Sequence, residues 1–109
     1  MKKSSLFFLS LFFSASVFAQ EGKQQYKMAI IGFYNLENLY DTLDNPMVSD
    51  EEFTPSGPKN YTGTIYRDKL DKLATVISEM GADKNPDGAA LLGVAEVEND
   101  TVLTDLVHH

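Results

Sequence analysis

IYRDKLDKLATVISEMGADKNPDGAALLGVA, residues 65–95, reads as a helix followed by a strand, and this stretch decides the fold. Tyr66, Leu70, Leu73, Ile77 and Met80 recur at the spacing that stacks side chains on one helix face. Arg67, Asp68, Lys69, Asp71, Lys72 and Glu79 take the other side, so an amphipathic helix is predicted over residues 65–80. Thr62 or Thr64 can cap its start, because a side-chain oxygen there accepts an otherwise unpaired N–H of the first turn. Gly81 stands where a left-handed residue closes a helix, and the polar run 83–88 turns the chain. Residues 89–95, with Leu91, Leu92 and Val94, then form an apolar run of strand length.

Upstream, Met28, Ala29, Ile30, Ile31 and Phe33 make a second near-continuous apolar run, and a strand buried on both faces is predicted over residues 26–34. Downstream, Asn99 or Asp100 can cap a final helix through Val102, Leu103, Leu106 and Val107. Strand, helix, strand is the pattern of a parallel crossover unit, which places the chain in the α/β class. Parallel neighbours end at the same edge of a sheet, and open α/β sheets bind ligands at that edge. Asn35 and Glu37 would reach it from the first strand, and Glu96, Glu98 and Asn99 from the second.

Residues 41–62 differ in character. Pro46, Pro55 and Pro58 break any helix, and Asp50, Glu51 and Glu52 concentrate charge. This is a long acidic loop. Loops of this length in small domains are either functional or disordered, and composition does not choose between the two.

The first 19 residues read as a secretory signal peptide: Lys2 and Lys3, an apolar run from Leu6 to Phe13, and small residues at Val17 and Ala19 before the cut. Ser10, Ser14 and Ser16 interrupt a run already too short to span a bilayer, so no transmembrane anchor is expected after cleavage. The product would be exported, periplasmic or extracellular, with residues 20–109 as one domain or part of one. Losing Lys2 and Lys3 leaves 7 basic side chains against 16 acidic ones, a net charge near −9. That balance argues against a broad, sequence-independent grip on nucleic acid phosphates. With no cysteine, disulfides and thiolate metal sites are excluded, and a metal would take oxygen ligands or the histidines at 108 and 109.

Carboxylates gathered at one sheet edge repel unless a cation lies among them, and a hard divalent ion held by one or two carboxylates and substrate phosphate is a common solution. Glu and Asn after strands are equally common as solvated loop residues and caps. Spacing alone leaves both readings open.

Two motifs add to this. FYNLENLYD at 33–41 resembles the opening motif of the endonuclease/exonuclease/phosphatase family: a strand, an aromatic residue, Asn, an aliphatic residue and an acidic residue. LLGVAEVEN at 91–99 is similar to that family's second motif, a buried strand ending in a metal-binding Glu. The resemblance implies a four-layer α/β/β/α sandwich, of which this chain supplies an incomplete β-α-β start. It implies Glu96 as a direct ligand of Mg2+ (or Mn2+ or Ca2+). Asn35 would orient the phosphate or a bound water at the same metal, and Glu37 would act as a catalytic acidic neighbour. Glu98 and Asn99 are expected to be structural, and the histidines are assigned no role.

The implied activity is divalent-metal-dependent hydrolysis of a phosphate ester, of the phosphodiesterase or nuclease type. Nucleic acid is among the candidate substrates, and no protein partner is implied. The family's later motifs, which supply a catalytic His paired with an Asp and the groups that position water, have no counterpart before His109. The 109 residues are therefore expected to carry half an active site and to be inactive alone. The alternatives are a non-catalytic exported binding module, with the acidic loop capturing calcium or a basic partner, and an inactive truncated fragment.

Overall fold

Thr62, in extended conformation, accepts the Ile65 N–H in its side-chain oxygen and so starts helix α1 (Gly63–Glu79) in the computed structural model, which describes residues 25–109. The predicted leader at 1–19 lies outside the described residues. At the other end Met80 leaves the helix and Gly81 follows with φ +74°. Both ends fall within two residues of the spacing-based prediction, because each carries a chemical stop signal.

Two strands, β1 (Ile30–Leu39) and β2 (Ala89–Val97), pair in parallel, with Ile30 opposite Ala89 and Asn35 opposite Ala95. The first strand therefore starts four residues later than predicted and runs five residues further. Residues 25–29 form no regular structure and are exposed, since β2 offers them no ladder partner. The extension past Tyr34 is driven by Leu36 and Leu39, both 0% exposed. Burial on both faces is also corrected: Ile31 and Phe33 are 76% and 70% exposed, and Leu91 is exposed beside them. Among the described residues the helices cover one face of the sheet only, which gives an alternating strand.

That covered face holds the core. Leu36 and Leu39 pack with Tyr66, Leu70 and Leu73 of α1, with Tyr61, and with Val102 and Leu106 of helix α2 (Asp100–Val107). Asn99 caps α2 by accepting the Val102 N–H at 3.1 Å. Tyr66 donates its hydroxyl proton to Asp105 at 2.8 Å and so ties α1 to α2. Together these elements are the mixed, incomplete α/β fold that the sequence pattern requires. No helix among the described residues is long and apolar enough to cross a membrane.

The acidic loop is folded onto this core. A short 3-10 helix, Glu51–Phe53, aims the Phe53 ring into a stack on Tyr40, with centroids 4.3 Å apart and planes 7° apart. Tyr61 meets the same ring edge-on, and the Lys59 ammonium lies 4.1 Å over it. Asp50 is 1% exposed, and its carboxylate accepts the Asn45 N–H at 3.2–3.3 Å. Composition could not show this, because the order comes from Tyr40, Phe53 and Tyr61, which are far apart in the chain.

Candidate metal and phosphate site

Leu36 and Leu39 can share one face only if the alternation of β1 is broken between them, since they are an odd number of residues apart. The ladder breaks there. Asn35 pairs with Ala95 and Leu39 with Val97, so three residues of β1, Leu36 to Asn38, face the single residue Glu96 of β2. Glu37 and Asn38 absorb the excess length in the left-handed region, with φ of 53° and 57°. Glu96, across from them, is left-handed as well, at φ 57°. For an L-residue this conformation costs about 1–2 kcal/mol, somewhat less for Asn. Three such residues at one place are held by the surrounding structure, and clusters of this kind mark functional sites.

Two interactions hold the bulge. The side-chain oxygen of Asn35 accepts the Glu37 N–H at 2.7 Å and closes a tight turn. From α1, the Lys69 ammonium donates to the carbonyl of Glu37 and, at 2.9 Å, to that of Asn38. Burial pushes the Lys69 pKa below its ordinary value, while the carboxylates of Glu37 and Glu96 act to raise it and Lys59 to lower it. The ammonium thus sits within electrostatic reach of both acidic side chains. The sequence assigned Lys69 only to the polar side of the helix. It borders the apolar stripe, where a long side chain can run along the surface and deliver its charge to the strand end; helical spacing alone carries no sign of that reach.

Asn35, Glu37 and Glu96 are all exposed, at the same edge, with the register placing Glu96 beside the other two. Glu98 has a different surrounding. Its side chain accepts the Asp41 N–H at 3.0 Å and its own N–H bonds the Leu39 carbonyl at 3.0 Å, so it ties the segments that leave the two strands. Burial raises the Glu98 pKa, the Asp41 N–H opposes this, and the charges of Asp41 and Asp50 add to the rise. Asn99 is the α2 cap. His109 pairs with Asp71 of α1 at 2.8 Å, and His108 bonds the Thr104 carbonyl, so both are engaged where α2 ends.

Three of the loop carboxylates are engaged locally. Asp41 accepts the Leu43 N–H at 2.7 Å, Asp50 accepts that of Asn45, and Glu52 pairs with Lys59 at 3.1 Å. Among the described residues no three His, Asp or Glu side chains converge as a ready-made metal cage. Glu96 and Glu37 offer oxygen donors in open solvent, with the Asn35 amide alongside. Such a donor set fits a hard cation that keeps several waters and shares its shell with a phosphate, the habit of magnesium.

A family model described as "Endonuclease/Exonuclease/phosphatase family" matches residues 30–109, which begins at the first residue of β1 and takes in every element above. No curated protein and no solved structure matches the chain.

Proposed function

The chain belongs to the endonuclease/exonuclease/phosphatase family, whose members are phosphoesterases and nucleases, and from that premise we propose that its sheet edge binds a divalent cation and a phosphate ester for hydrolysis. The supporting observation is the broken register, which sets Glu96 across from the Leu36–Asn38 bulge and next to Asn35.

Glu96 is the cation ligand, and magnesium is the preferred ion, with manganese or calcium as substitutes. Glu37, within the bulge, adds a second negative charge, directly or through water. Asn35 has its oxygen committed to the Glu37 N–H, so the two donors of its amide group are what it offers a phosphoryl oxygen. A divalent ion bound here supplies polarisation of the phosphoryl oxygen and a lowered pKa for attacking water. The protein's own residues orient the ester and fix where charge is bound. The acidic surface disfavours long nucleic acid as a non-specific ligand, which favours recognition of one phosphate group over a tracked backbone. The amino-terminal leader makes this an exported activity.

The test is cation binding by the chain, followed calorimetrically with Mg2+ and Mn2+, alongside hydrolysis of bis(p-nitrophenyl) phosphate. Glu96→Gln keeps the size of the side chain and removes its charge. Binding should weaken roughly a hundredfold, with any hydrolysis falling in step. Undiminished Mn2+ binding in that variant would remove Glu96 from the site and the proposal with it.

A further inference from the structure

Lys69 reaches from α1 to the broken part of the β1–β2 ladder, where its hydrogen bonds go to backbone. Its ammonium donates to two successive carbonyls, those of Glu37 and Asn38, both on left-handed residues. Among the described residues no carboxylate lies within ion-pair distance of it. Side chains follow the backbone that carries them, and the direction of Glu37 depends on a conformation its residue type disfavours. Asn35 secures one side of the bulge through the Glu37 N–H, leaving the carbonyl side to Lys69.

Resting on the phosphoesterase reading of this edge, we propose that Lys69 is a positioning residue, clamping the Glu37 and Asn38 carbonyls so that Asn35 and Glu37 stand beside Glu96. It touches neither cation nor substrate in this role. Its influence passes through the β1 backbone.

Positioning and simple electrostatics predict opposite signs. A cation close to two carboxylates repels a divalent ion, so if Lys69 acted only through charge, Lys69→Met would bind Mn2+ more tightly. If it positions the bulge, Lys69→Met binds Mn2+ more weakly, roughly tenfold, as is usual when a group that orients metal ligands is lost. Lys69→Arg keeps a charged donor that can reach both carbonyls, now as a fork, and restores binding to near the parent value.

The experiment measures Mn2+ affinity of the parent chain, Lys69→Met, Lys69→Arg and Glu96→Gln, together with the backbone 13C shifts of Glu37 and Asn38, which report left-handed conformation without any metal. Weaker binding in the Met variant, rescue by Arg, and 13C shifts moving toward extended values support the clamp. Tighter binding, or unchanged shifts with unchanged affinity, overturns it. Should Lys69→Met fail to fold, Lys69→Gln is read by the same criteria, its amide retaining a shorter, uncharged donor. Loss of binding in Glu96→Gln with none in Lys69→Met disproves the clamp alone, whereas a parent chain that binds no cation overturns the site reading beneath it, and the 13C shifts still decide the clamp.

Discussion

The Asn35 side-chain oxygen accepts the Glu37 N–H at 2.7 Å, so one amide group closes a turn with its oxygen and keeps its NH2 for another partner. The turn and the proposed phosphate contact use different atoms, which makes them separable. Asn35→Asp retains an acceptor for Glu37 but loses both donors and adds a charge where phosphate would lie. It should fold as stably as the parent, within a few tenths of a kcal/mol, and lose phosphate-ester binding. Asn35→Ala loses the turn as well and should be destabilised by about 1 kcal/mol in urea unfolding. If Asn35→Asp binds phosphate esters like the parent, the residue is a turn former and nothing more.

Gly81 and Gly88 are both left-handed, at φ +74° and +72°, yet they face different surroundings. A Cβ on Gly81 would come within 2.7 Å of Ile30 Cγ2, at the point where the end of α1 presses on the start of β1. A Cβ on Gly88 meets nothing closer than the Ser78 carbonyl at 3.7 Å. Gly88→Ala should therefore cost only the backbone term, about 1–2 kcal/mol. Gly81→Ala adds displacement of Ile30 and should cost about 1–3 kcal/mol more. Equal urea midpoints for the two variants would contradict the packing of α1 against Ile30.

Tyr66 is buried between the helices and hydrogen-bonded to Asp105, and burial first, then that bond and its charge, push its pKa well above the ordinary 10.0. Tyr61, buried near Asp41, is raised in the same direction. Both groups hold their protons more tightly folded than unfolded. Their contribution is complete below pH 10, the unfolded value, and is lost progressively as pH rises beyond it. Stability should thus fall as pH rises above about 10. In Tyr66→Phe that fall is shallower, while stability at pH 7 drops by about 1–2 kcal/mol from the lost bond. A parent and variant with parallel alkaline profiles would show that Tyr66 titrates freely.

Much of this architecture was legible in the sequence because it depends on short-range signals. Thr62, Gly81 and Asn99 each mark a helix end by their own chemistry, and the apolar spacing of Tyr66, Leu70 and Leu73 fixes which face of α1 is buried. The strand boundaries were less legible. Residues 26–29 are as apolar as a strand requires, but pairing is set by β2, which begins opposite Ile30. Leu36 and Leu39 looked like motif residues and are the deepest part of the core. Asn35, Glu37 and Glu96 could be named as neighbours, since parallel strands must end together. Their arrangement could not be, because it depends on a three-to-one mismatch in the ladder and on Lys69, a long-range contact with no sequence periodicity.

The left-handed backbone at Glu96 leads to a last prediction, one that divides stability from function at a single position. Any residue with a Cβ is strained at φ 57°, and glycine is not. Glu96→Ala removes the carboxylate and keeps the strain, whereas Glu96→Gly removes both. The glycine variant should be the more stable of the two by about 1 kcal/mol, despite the greater freedom of glycine in the unfolded chain. Both should fail to bind Mn2+. A parent residue kept in a costly conformation when glycine would relieve it fits a position held for its side chain's chemistry. Equal unfolding midpoints for the alanine and glycine variants would mean that residue 96 is not left-handed in solution, and the edge geometry built on it would have to be redrawn.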